Sequence, residues 1–445
     1  MDQATLTRSI REVTAPSLRN YRNSRKVMTI KGQAIYVEDI LKAALISRSN
    51  VLLLGSRGWG KTTAEHDIHD GIFGGKGIYV RAHPKMDERE LFSHLNLGKY
   101  LRGEVGSSRE LREVLEAIHN CCMVVDEITR LPGISQNRVF GLADGYIELD
   151  GVRYQIGNGY SILLASGNVG RGYDGTFALD GALIDRFPVI INMDDFLPTA
   201  KDDFLRLRSK HDPRVPKILN GERLDQSEKL KQVFAQLSEI KATMSVVIAT
   251  LYLTHALGDC SKRGIPKLSI AESLPQACAG CSQLTKNCGH FMGVSGRSQE
   301  SIINTVIALQ QIAIAKHETA TEAASAPHAE QPPPLVVDDM ADVLEVFKTF
   351  FGYTGIVNSQ HVVQKYLGNP YRFLSDIAAI TQQEFIAQTD NIVALLRAYA
   401  RSGGRLEVSE AERLVRPFTH DIPDGAGAAV RKNPWRFIGD IVGIQ

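Results

Sequence analysis

The sequence has no excess of either charge. Lysine and arginine total 51 against 50 aspartates and glutamates, a formal net charge of +1. That balance excludes a chain-wide basic field for nucleic acid, although a local patch stays open. Long apolar runs are also missing: the longest, about Met244 to Leu253, falls well short of the ~20 residues that span a bilayer. Met1 to Arg19 is polar and carries no apolar h-region, so no secretory signal is expected and a cytoplasmic location is. Cysteine is scarce, six in 445 residues, which argues against a disulfide framework and for intracellular metal or cluster chemistry. There is no internal repeat, no Ser-His-Asp or Cys-His protease pattern and no nucleic-acid-binding module. What is there suits an ordinary globular protein of two or three domains: 43% apolar and 23% charged residues.

From about residue 28 to 198, short apolar runs alternate with helical patterns. Val51 to Leu54, Gly77 to Val80, Cys121 to Val125, Ser161 to Ala165 and Val189 to Ile191 lack polar alternation. Such strands, separated by helices, predict an α/β fold with a parallel sheet covered on both faces. Gly145 to Ile156 differs, with alternating residues flanking Asp150-Gly151, a hairpin signal. From about residue 199 the strand signals stop. Ser227 to Leu257 reads as one long helix with Leu230, Phe234, Leu237 and Met244 on a face. A Cys-rich stretch from Cys260 to His290 follows, then a helix over Gln299 to Lys316. His317 to Pro334 is Ala-, Glu- and Pro-rich and reads as a flexible linker. Asp338 to Phe351 and about Gln382 to Arg401 read as helices. Tyr366, Tyr371, Phe373 and Trp435 read as core, and Lys201, Arg206, Arg208 and Lys210 as a solvated helix face.

Gly55-Ser56-Arg57-Gly58-Trp59-Gly60-Lys61-Thr62 matches G-x-x-x-x-G-K-[ST] in full, after an apolar strand and before a helical stretch. Glycines let the backbone curl so that successive N–H groups face one anion, and the helix start adds its positive dipole end. ATP is the expected ligand of this loop and of Thr63 beyond it. Lys61 would neutralise phosphate charge, and the Thr62 hydroxyl would bind Mg²⁺. Met123-Val124-Val125-Asp126-Glu127 delivers two carboxylates at a strand's end, where ligands of open α/β sheets sit. Asp126 would hold Mg²⁺, and Glu127 would orient and deprotonate a water.

Further segments resemble the MoxR group of AAA+ ATPases, over roughly residues 28 to 316 and the helix at 338 to 351. Asp126-Glu127-Ile128-Thr129-Arg130 is similar to the family's "DEINR". Ala165-Ser166-Gly167-Asn168 looks like a sensor-1 element, with the Asp150-Gly151 hairpin preceding it. Ala182-Leu183-Ile184-Asp185-Arg186-Phe187 resembles "ALLDRF". Gly293-Val294-Ser295-Gly296-Arg297 resembles "GASPR", the sensor-2 turn opening a lid helix. The chain has Gly296 where that family has proline, and no proline follows Asn168. The resemblance implies that Asn168 contacts the γ-phosphate or the attacking water and that Arg297 reaches the γ-phosphate from the lid. It implies that Arg186 reaches the nucleotide of a neighbouring subunit in a homo-oligomer, usually a hexameric ring. It implies a three-layer α/β AAA+ core over 28–198 after a polar segment 1–27, and a helical lid over 199–355. The lid would carry the Cys-rich insert at 260–290 and the linker at 317–334, with a helical appendage over 356–445. The implied activity is ATP hydrolysis that remodels or activates a partner protein, often one with a von Willebrand A-type domain. A nucleic-acid-stimulated motor of defence or restriction type, a redox- or metal-sensing ATP switch and a magnesium-chelatase-like role stand beside it.

The family resemblance does not account for Cys278-x2-Cys281-x6-Cys288. Thiolates bind soft metals, and C-x2-C puts two sulfurs within reach of one ion. With Cys260 the set suits a [4Fe–4S] cluster or Zn²⁺; with His290 instead it suits Zn²⁺. Cysteines simply buried in the lid are the remaining possibility.

Overall fold

The computed structural model describes residues 3–15, 18, 20–86, 120–149, 152–168, 177–208, 225–260, 262, 265–267, 290–291, 293–323, 336–403, 405–420, 422–423 and 430–442. The chain forms two bodies: residues 1–240 with 307–326, and residues 241–306 with 327–445.

The first body opens with helix α1, Gln3–Thr14. Leu6, Ile10 and Val13 lie one turn apart and are buried. Strands β1, Lys26–Ile30, and β2, Gln33–Tyr36, form a hairpin closed by Lys31 and Gly32, both left-handed. Helix α2, Val37–Ser47, leads into β3, Val51–Leu54. Helix α3, Lys61–Gly71, and β4, Ile78–Arg81, follow. After the segment 87–119 come β5, Cys122–Asp126, and α4, Gly133–Asp144. The expected hairpin is present as β6, Tyr146–Leu149, paired with β7, Val152–Gln155; its turn lies outside the described residues. Then come β8, Ile162–Gly167; α5, Gly181–Ile184; β9, Val189–Asn192; α6, Ala200–Arg208; and α7, Ser227–Leu237.

The five apolar runs pair as one parallel sheet in the order β4-β5-β8-β3-β9. Every residue of β3, β5 and β8 is buried, so the three central strands are covered on both faces. This explains their lack of polar alternation. The loops after β3, β5 and β8 therefore leave the sheet side by side at its C-terminal edge. Lys201, Arg206 and Arg208 lie exposed on α6, as expected; Lys210 lies outside the described residues.

The second body is helical. Helix α8, Met244–Leu251, runs into a π-helical turn, Tyr252–Ala256. Helix α9, Gly296–Ala323, starts here and lends its later part to the first body. Helices α10, Val336–Phe350, α11, Ser359–Tyr366, α12, Pro370–Arg401, and α13, Val408–Thr419, follow. A two-stranded ladder of β10, Ile422–Pro423, and β11, Val430–Arg431, precedes α14, Phe437–Val442. Trp435, 1% exposed, centres the core, with Tyr252, Phe385 and Phe418 rings at 4.5, 5.5 and 6.1 Å. Phe373 is buried, whereas Tyr366 and Tyr371 are only half-buried; the Tyr366 hydroxyl donates to Asp376 at 2.9 Å.

Two expectations are corrected. Ser227 to Leu257 is not one helix. It breaks over residues 238–243 because the Thr243 hydroxyl accepts the Val246 N–H and starts a new helix, and also donates to Asp339 at 2.7 Å. Leu237 and Met244 thus belong to different bodies. The linker, expected from His317, is helical up to Ala323, as its alanine content permits; residues 324–335 lie outside the described set.

Candidate nucleotide-binding site

The loop between β3 and α3 turns on three left-handed glycines. Gly55, Gly58 and Gly60 have φ of 131°, 88° and 83°, values that a Cβ would strain. Gly60 caps α3, so the free N–H groups of the helix's first turn face the loop. Lys61, 8% exposed, donates from Nζ to the carbonyls of Gly55 at 2.8 Å and Ser56 at 2.7 Å. Burial lowers the Lys61 pKa, and the carboxylates of Asp194, Glu65, Asp126 and Glu127 oppose that shift. Thr62 is exposed, and its hydroxyl donates to Asp126 Oδ1 at 3.3 Å, joining the loop to the end of β5.

Asp126 is 3% exposed. Its Oδ1 also accepts the Ser166 hydroxyl of β8 at 2.8 Å, and Ser166 Oγ accepts the Glu127 backbone N–H at 3.3 Å. Glu127 is left-handed, with φ 59°. Its carboxylate forms ion pairs with Arg130 at 3.1 Å and Arg81 at 3.8 Å. Asn168 is buried one residue past β8. One turn into α3, Glu65 is 1% exposed. Burial, then repulsion from Asp126, pushes the Glu65 carboxyl pKa well up.

Sequence reasoning missed three contributors. Ser166 was read only as part of the Ala165-Ser166-Gly167-Asn168 stretch, not as a partner of Asp126. Asp194, in the turn after β9, accepts the Ser56 N–H at 2.9 Å and its hydroxyl at 2.9 Å; nothing local marks it. The segment before β1, expected only to be polar, forms a strap. Asp67 of α3 accepts the N–H groups of Asn20 at 2.7 Å and Tyr21 at 2.8 Å. The Tyr21 ring then lies 3.0 Å from where a Cβ on Gly60 would sit.

The sheet gathers Lys61, Thr62, Asp126, Glu127 and Asn168 at one edge. Arg186 stands elsewhere, between α5 and the start of β9. Its backbone carbonyl accepts from Asn50, the residue before β3, at 3.0 Å. The loop begins at the other end of β3, a strand length or about 16 Å away at ~3.3 Å per residue. Arg297 is exposed in the first turn of α9, in the second body. Cys278, Cys281 and Cys288 lie outside the described residues. Cys260 is half-buried and in no disulfide, and its N–H donates to the Ile265 carbonyl at 2.8 Å. The His290 ring stacks on His361 with centroids 3.5 Å apart. Among the described residues, no three His, Cys, Asp or Glu side chains are grouped to hold a metal, and no helix is long and apolar enough to cross a membrane.

With this geometry the chain has the fold of AAA+ P-loop proteins. It is similar to a solved protein of Cytophaga hutchinsonii assigned as an ATPase, with 13% identity, 84% of this chain and 94% of that one covered, and a TM-score of 0.51. A full-length MCM homologue from Methanopyrus kandleri aligns over 78% of this chain and 62% of its own at 13% identity, with a TM-score of 0.38. No protein-family model and no curated protein matches the chain.

Proposed function

We propose that the protein binds ATP with Mg²⁺ in the loop after β3 and hydrolyses it. The observation that carries this reading is the Thr62–Asp126–Ser166 chain, which aligns a hydroxyl and a carboxylate across two strand ends beside Lys61. These are hard oxygen donors, the set that Mg²⁺ takes alongside phosphate. The open space above Gly58 and the free N–H groups at the start of α3 suit a polyphosphate. Bound Mg²⁺ would neutralise charge on the phosphates. Lys61 would exchange the Gly55 and Ser56 carbonyls for phosphate oxygens. Glu127 would accept the proton of an attacking water, and Asn168 would orient that water.

Arg186 is a strand length from its own loop, too far for its side chain to reach. As the MoxR resemblance implies, Arg186 serves a neighbouring copy, and the active unit is a homo-oligomer, a hexameric ring. The MoxR resemblance gives Arg297 a role at the γ-phosphate. The work of hydrolysis is remodelling of a partner protein, with a von Willebrand A-type domain as the expected partner. Cys260, with Cys278, Cys281 and Cys288 outside the described residues, would be the thiolates to hold an iron–sulfur cluster or zinc. The test is nucleotide titration of the wild type and of Lys61→Ala, read by fluorescence of Trp59 within the loop, with phosphate release in parallel. Mg²⁺-dependent binding and turnover that Lys61→Ala loses support the reading. Equal binding by both proteins contradicts it.

A further inference from the structure

Resting on the reading that Arg186 acts on a neighbouring copy, we infer that Asp144 is its positioning residue: it fixes the guanidinium before the two copies meet. Arg186 Nε lies 3.0 Å from both Asp144 oxygens, and Nη1 donates to the Ala182 carbonyl at 2.8 Å. The Phe140 ring lies under the guanidinium, 4.8 Å from its centroid. No described residue accepts from Nη2, so that amino group is the part left to offer. The side chain is 18% exposed, enough to present one edge.

The backbones on both sides of the pair are fixed independently. Asn50 Nδ2 donates to the carbonyls of Ala143 at 2.8 Å and Arg186 at 3.0 Å, and Asn50 Oδ1 accepts the Leu163 N–H at 2.9 Å. Holding α4 to Arg186 therefore does not require the Asp144 side chain. Asp144 is also the last residue of α4, where the helix dipole disfavours a carboxylate. A group that stability alone would not place there is what an arginine needs to lose its rotamer freedom in advance, and a free arginine side chain carries much of it.

The experiment mixes two inactive proteins. Glu127→Gln keeps Arg186 but cannot hydrolyse; Arg186→Ala keeps its own site but donates no arginine. Mixed, they recover phosphate release absent from either alone. Asp144→Ala placed in the Glu127→Gln protein lowers the recovered rate by about 10-fold to about 100-fold, the cost of a misplaced catalytic group. Placed in the Arg186→Ala protein, the same change leaves recovery intact and shows that the variant folds and assembles. Equal recovery with Asp144→Ala in either protein overturns the positioning role and keeps the in-trans reading. Equal loss in either protein makes Asp144 a structural prop and also overturns it. No recovery from the first pair overturns the in-trans reading and the positioning role with it.

Discussion

Ser166→Ala removes the hydroxyl that ties β8 to the end of β5. Ser166 is 1% exposed, so no water replaces it. Its bond to Asp126 is short, at 2.8 Å, and ends on a buried carboxylate, which makes it worth about 1.5–3 kcal/mol. The Glu127 N–H at 3.3 Å is a weaker partner, about 0.5–1 kcal/mol, and would be left without an acceptor. Thr62 still donates to the same Asp126 oxygen, so the carboxylate is not abandoned. The expected loss is about 3 kcal/mol, or about 6–12 °C in Tm for a body of this size. Calorimetry, which can resolve the transitions of the two bodies, should show the shift only in the first. Phosphate release should fall with it, because Asp126 and Glu127 both lose their reference point. Ser166→Cys, with a weak donor of similar volume, should fall between. A shift under about 1 °C with full activity would refute the claim that this hydroxyl organises the two carboxylates.

Gly60→Ala puts a Cβ on a residue with φ 83° and 3.0 Å from the Tyr21 ring; expect nucleotide affinity to fall at least tenfold in a fluorescence titration and stability by about 1–3 kcal/mol. His361 and its stacked neighbour His290 both have lowered pKa values, burial being the first cause and, for His290, His361 the second. The neutral form is thus the folded one: above the unfolded pKa of ~6.5 neither state takes up a proton, and below it the unfolded chain protonates first. Stability of the second body should therefore fall as pH drops from 7 toward 5, and His361→Gln should flatten that slope; an unchanged slope contradicts the stacked-pair account. Anaerobically purified protein should carry iron or zinc, absorbing near ~400 nm in the iron case. Chelation or Cys281→Ser should remove the metal and lower the melting temperature of the second body, while metal-free protein with an unaltered melt would return the cysteines to ordinary burial.

The parallel sheet was legible because β3, β5 and β8 are buried on both faces, and such strands have no polar alternation to hide them. The phosphate loop was legible because its backbone needs glycine at set places. The break at residues 238–243 was not, since the apolar spacing of Leu237 and Met244 continues across it and only Thr243, a single capping hydroxyl, marks the new start. Asp194 and Asp144 were invisible for a different reason. Their partners, Ser56 and Arg186, lie 138 and 42 residues away, and no local pattern records such a pairing. The strap at Asn20 and Tyr21 read only as part of a polar segment because two of its anchors are backbone N–H groups, which every sequence has, and their partner Asp67 lies over 40 residues away.

The most direct measurement is steady-state phosphate release from ATP with and without Mg²⁺, for the wild type and for Glu127→Gln. The account predicts Mg²⁺-dependent turnover by the wild type and none by Glu127→Gln, with nucleotide affinity kept by the variant. Undiminished turnover in Glu127→Gln, or none in the assembled wild type, would contradict it.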